Sequence, residues 1–166
     1  MRSVVLDASV VVALCAKEPH RAEEAEAALQ ERERDGWTFH APNALVSEAQ
    51  FILCRKAALG SLTQAEYTAA LAILQAVLSV IAFLPEGDGD LLTAAERIRH
   101  GYGCSRCADS TYIALAERLS GAGPVELLTF DTGQRSQAAA TAPLVTVTVL
   151  GAQSDESVAH QTSRPC

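Results

Sequence analysis

Short apolar runs alternate with helical segments along this chain, and that alternation leaves few architectures open. Ser3 to Leu6 is a β-branched run that fits a buried strand. Val125 to Phe130 and Val145 to Leu150 read in the same way, and Trp37 to His40 and Val80 to Leu84 as shorter strands. Between them lie segments with helical signals: Val10 to Ala16, Glu23 to Arg34, and Pro42 to about Leu59, closed by Gly60. Thr63-Gln64-Ala65-Glu66 is a capping-box pattern that opens a helix to about Leu78. Asp88 to His100 and Ala108 to Leu119 read as two more helices. Strands separated by helices pair in parallel, with helices over both faces of the sheet. The expectation is an α/β fold forming one domain over residues 1–150. The polar, aperiodic stretch from Gly151 to Cys166 is expected to be a disordered tail. In such sheets the functional site lies off the carboxyl ends of the strands.

Composition narrows the partners. Acids outnumber Lys and Arg by 20 to 13, for a net charge of −7. A chain that grips nucleic acid with its whole surface would be basic. Any such contact here must be local, through a few Arg or through bound cations. The five cysteines and the short apolar start, broken by Asp7, suggest free thiols and a cytoplasmic location. The uncharged stretch from Tyr67 to Pro85 is long enough to span a bilayer, but Thr68, Gln75 and Ser79 interrupt it. It reads better as a helix followed by a buried strand, so no membrane partner is expected.

Four carboxylates stand out by position. Asp7 and Asp131 each follow a strand directly and so sit at its carboxyl end. The plain alternative for both is a helix cap or turn former. Glu48 shares a helix face with Leu45 and Ile52, and a carboxylate facing a core is costly unless paired or metal-bound. The alternative is a Glu at the edge of that face, with its tip in water. Asp109 shares a face with Ile113 and Ala116, or else caps its helix. Brought together, four such acids would repel one another unless a cation held them. Oxygen-only ligands suit Mg²⁺ or Mn²⁺, which can activate water against a phosphodiester. The hydroxyls of Ser9 and Thr129 lie beside the acids and could orient them.

These residues resemble the motifs of PIN-domain nucleases. Val4-Val5-Leu6-Asp7-Ala8-Ser9 is similar to the family's opening, and Pro42 through Glu48 to its second motif. Ala108-Asp109-Ser110 with Ile113-Ala114 resembles the third. Leu128-Thr129-Phe130-Asp131 resembles the fourth, with a hydroxyl two before the acid. The resemblance covers about Met1 to Leu150. It implies a three-layer α/β/α fold with a five-stranded, mainly parallel sheet, and Mg²⁺- or Mn²⁺-dependent RNA cleavage. Asp7 and Asp109 would be the main ligands, with Glu48 and Asp131 completing the pocket. Small single-domain members are mostly VapC-type toxins, often homodimers, each paired with a cognate antitoxin protein. The chain departs from the family after Asp131. An aromatic residue often follows soon there, whereas Thr132-Gly133-Gln134-Arg135 stands here.

Other signals are thinner. Cys104-Ser105-Arg106-Cys107 is a lone CxxC with His100 four residues earlier, and a zinc site would need a further ligand. Arg106 and Arg135 flank the acids in sequence and are candidate phosphate contacts, or plain solvated charges. A dehalogenase-type phosphatase would need a second Asp where Ser9 stands, and no Gly-rich run ends in Gly-Lys-Ser or Gly-Lys-Thr. Two rival functions remain open: a non-catalytic module that binds RNA or protein, and a metal-dependent phosphoryl hydrolase of another substrate class.

Overall fold

A computed structural model describes residues 2–103 and 107–151, apart from the side chains of Cys107 and Ala108. The chain runs β1 (Ser3–Leu6), α1 (Ala8–Cys15), α2 (Arg21–Arg34), β2 (Thr38–His40), α3 (Ala44–Ala58) and α4 (Gln64–Leu78). A 3-10 turn at Asp88–Leu91 leads into α5 (Leu92–Gly101) and α6 (Cys107–Ser120). Then come β3 (Val125–Thr129), α7 (Thr132–Thr141) and β4 (Thr146–Val149). The expected tail, apart from Gly151, lies outside the described residues, as do Arg106 and the CxxC side chains.

The four strands pair in parallel in the order β2-β1-β3-β4. β1 and β3 are the central pair, aligned Ser3 to Val125 and Leu6 to Leu128. Both are buried along their whole length, as a strand covered on two faces must be. From β1 the chain steps outward to β2, then returns past β1 to β3 and continues to β4. Right-handed crossovers in these two directions place helices on opposite faces. α1 accordingly packs on α2, α3 and α4, while α5, α6 and α7 pack on one another. The result is the expected three-layer α/β/α sandwich. The strand order reverses between β1 and β3, and a crevice opens beyond their carboxyl ends at such a reversal.

Two expectations differ in detail. The run Val80 to Leu84 contributes a single parallel bridge, Ala82 with His40, where a fifth strand was expected. Its site is the sheet edge beside β2. Ala82 N–H donates to Phe39 at 2.8 Å, but Val80 is 66% exposed and Pro85 ends the run. No helix was expected between Asp131 and Val145, yet α7 starts directly after Asp131. The capping box at Thr63 and Glu66 forms as expected, with both reciprocal bonds present. Among the described residues no helix is long and apolar enough to cross a membrane.

One charge sits inside the sheet. Glu126 of β3 is buried, and the Arg32 guanidinium of α2 grips it through two bonds of 2.9 and 2.8 Å. The Thr148 hydroxyl donates to the same carboxylate. Burial pushes the Glu126 carboxyl up, but the Arg32 and Thr148 bonds outweigh burial and hold it below the usual Glu range. This pair lies toward the amino ends of the strands, away from the crevice.

Candidate active site

Asp7 ends β1 and enters the crevice. Its extended backbone caps α1, and Oδ2 accepts the Ser9 N–H at 3.0 Å. The Ser9 hydroxyl also donates to Oδ2, and so does the Thr129 hydroxyl at 3.0 Å. Each hydroxyl in turn accepts a backbone N–H from the end of β3: Ser9 from Phe130, and Thr129 from Asp131, both at 3.0 Å. Ser9 and Thr129 thereby staple the ends of the two central strands to one carboxylate. The plain alternative for Asp7 is therefore also true, since one side chain is both cap and pocket wall.

Asp131 caps α7, its Oδ1 accepting the Gly133 N–H at 2.7 Å. The Asp131 backbone N–H connects to Asp7 by way of the Thr129 hydroxyl. Asp109 lies in the first turn of α6, past the cap position that was its alternative reading. Ile113 and Ala116, on the same face, are fully buried, so the inward aim read from the spacing is correct. Glu48 is half-buried on α3, and its Oε2 accepts the Tyr112 hydroxyl at 2.8 Å.

Electrostatics tie three acids together. Burial pushes the Glu48 carboxyl above its usual range; the Tyr112 bond opposes this, and the charges of Asp7 and Asp109 add to it. Asp7 and Asp109 are also joined through one shared donor. The Gln134 amide nitrogen donates to Asp7 Oδ1 at 3.0 Å and reaches Asp109 Oδ1 at 3.4 Å. Gln134 and Tyr112 are the two site residues that the sequence did not single out. Gln134 is fully buried on a helix whose buried positions are Gln134, Gln137 and Ala138, too little apolar surface for a period to announce it. Tyr112 is fully buried in α6, and no spacing in the sequence marks its hydroxyl.

The donor set bears on metal binding. Asp7, Glu48 and Asp109 offer oxygen alone, which suits a hard divalent cation. Among the described residues no three His, Cys, Asp or Glu side chains are grouped closely enough to hold a metal ion. The Gln134 amide occupies the approach between Asp7 and Asp109, a place where its two N–H groups face the two anions. The pocket thus fits such a cation in chemistry, with a neutral donor between the acids. Arg135 is exposed on α7.

Comparison with known proteins bears on the family and the fold. The PIN-domain sequence profile matches residues 4–140, which takes in all four acids. A structure of VapBC2 from Rickettsia felis, bound to a DNA fragment from their promoter, is similar at a TM-score of 0.63 and 11% identity. That match covers 89% of this chain and 98% of that one. PAE2754 from Pyrobaculum aerophilum is similar at a TM-score of 0.54 and 24% identity, over 82% of this chain and 87% of that one. At these identities the likeness concerns the fold. No curated protein gives a sequence match. With the profile spanning both central strands and every acid of the crevice, this chain belongs to the PIN-domain family, whose members are generally nucleases.

Proposed function

We propose that the chain is a Mg²⁺-dependent endoribonuclease, with Mn²⁺ as an alternative ion. The observation that carries this reading is the linkage of Asp7 and Asp109 through one amide, with Glu48 sensing both charges. Asp7 and Asp109 would hold the cation, and Glu48 and Asp131 complete the acidic wall. A bound divalent cation supplies the positive charge and the water activation that phosphodiester hydrolysis requires. The chain's own residues prepare the ground. Ser9 and Thr129 fix the Asp7 carboxylate through Oδ2 and leave Oδ1 facing Gln134 and Asp109. Glu48, held by Tyr112 and raised by burial, is placed to accept a proton. Arg135, and Arg106 beyond the described residues, are candidate phosphate contacts.

The same reading makes the chain the toxin of a type II toxin–antitoxin pair, acting in the cytoplasm as a homodimer. Support comes from the fold shared with VapBC2, an argument by analogy of fold. An anionic crevice is also a ready seat for an Arg or Lys of a cognate antitoxin. The test is cleavage of RNA by the purified chain. Cleavage should need Mg²⁺ or Mn²⁺, stop with EDTA, and fall by at least about a hundredfold in Asp7→Asn and Asp109→Asn. Full activity in either variant would defeat the mechanism. Activity on phosphomonoesters but not on RNA would move the chain to another substrate class.

A further inference from the structure

Gln134 is an odd residue to bury. Its side chain has no solvent exposure, and its amide oxygen has no hydrogen-bond partner. An unmatched buried acceptor is a penalty that an apolar residue of the same size would avoid. What the amide gains is confined to its nitrogen, whose two N–H groups face Asp7 Oδ1 and Asp109 Oδ1. The Asp7 carboxylate explains why that contact matters. A carboxylate offers about four acceptor positions. Oδ2 already receives the Ser9 N–H and the Ser9 and Thr129 hydroxyls. Oδ1 receives Gln134, so it is the oxygen with room for a further partner.

Without a cation, two carboxylates side by side repel and splay apart. We infer that Gln134 is a positioning residue for the acid pocket. Its amide nitrogen spans Asp7 and Asp109 and keeps the pair gathered, so that a divalent cation meets two acids already held together. A neutral donor suits this task because it holds both anions yet yields to a full positive charge. The inference rests on the acid pocket being the cation site, as set out above. Gln137, one turn further along α7, supplies the control. It is equally buried, and both its amide atoms are without partners.

The experiment is calorimetric titration of the purified full chain with Mn²⁺ alone, without RNA. Gln134→Met keeps the length and removes the donor, and Gln137→Met does the same on the control turn. Removing a hydrogen-bonded support of metal ligands typically weakens metal binding by about 10–100-fold. That loss is expected for Gln134→Met, with Gln137→Met binding as the wild type does. Melting curves confirm that each variant is folded, and Gln134→Ala replaces the Met variant should that one fail to fold. Wild-type affinity in Gln134→Met overturns the inference, as does an equal loss in both variants. RNA cleavage, assayed separately, keeps the two ideas apart. A wild type that binds Mn²⁺ but cuts no RNA defeats the nuclease reading and leaves the role of Gln134 standing. A wild type that cuts RNA, with Gln134→Met binding Mn²⁺ unchanged, does the reverse.

Discussion

The Tyr112 hydroxyl donates to Glu48 Oε2 at 2.8 Å, joining the first turns of α6 to the flank of α3 across the pocket. It counters burial, which pushes the Glu48 carboxyl up with help from the Asp7 and Asp109 charges. The folded state therefore holds the Glu48 proton more tightly than the unfolded chain does. Stability is lost as pH rises from the ordinary Glu range through the raised folded range. Glu48→Gln removes that charge and keeps an acceptor for Tyr112. In EDTA at pH 8 the variant should melt higher than the wild type, by roughly 2–4 °C per kcal/mol relieved. Toward pH 3, below the ordinary Glu range, the two should converge. A lower melting temperature at pH 8 would show that the pocket does not strain Glu48.

Cation binding should be visible without any substrate. Mg²⁺ at a hundred times its Kd stabilises the folded state by about 2.7 kcal/mol through mass action. The wild type should then melt several degrees higher than in EDTA. Asp109→Asn should respond far less to Mg²⁺. An equal Mg²⁺ shift in both proteins would remove Asp109 from the ligand set.

The Arg32–Glu126 pair should matter for stability alone. Its side chains are only 15% and 10% exposed, so cutting one partner strands a buried charge. Arg32→Met should cost about 3–5 kcal/mol, read by urea denaturation at pH 7. Glu126 is held below the usual Glu range, so its contribution is present above that range and fades as pH falls through the lowered folded range. The difference between wild type and variant should shrink toward pH 3. RNA cleavage per folded molecule should stay at the wild-type level, because the pair sits at the far end of the strands.

His40 gives a second pH signature. Burial lowers its imidazole range, while a hydrogen bond with the Ala82 backbone opposes the shift, and Nε2 has no partner. The neutral ring is the one the fold accepts. Stability is full above the ordinary His range, near pH 6.5. It is lost as pH falls from there toward the lowered folded range. Melting temperatures between pH 7.5 and 5 should fall less steeply in His40→Leu than in the wild type. Parallel slopes would rule out His40 as the source.

The sequence displayed the parts whose physics is periodic or positional. β1 and β3 showed as continuous apolar runs because both their faces are covered. Asp7 and Asp131 showed because each ends such a run, and Asp109 because Ile113 and Ala116 share its face. What stayed hidden was polar and buried. α7 turns Gln134 and Gln137 inward, so its inner face carries no apolar stripe, and Gly133 in its first turn imitates a loop. The run Val80 to Leu84 looked as apolar as the central strands, but composition does not say how many neighbours such a run will find. Glu126, inside an apolar run, gave no hint that Arg32 would reach it.

The stapling of β1 to β3 also sets a clock. The Thr129 bond to Asp7 spans 122 positions of the chain. A ribosome adding about 5–20 residues per second takes several seconds or more to cover that distance. Through that interval Asp7 has been added, but Thr129, Asp131 and the amide of Gln134 do not yet exist. The acid pocket therefore cannot assemble on a nascent chain until Gln134 has been added.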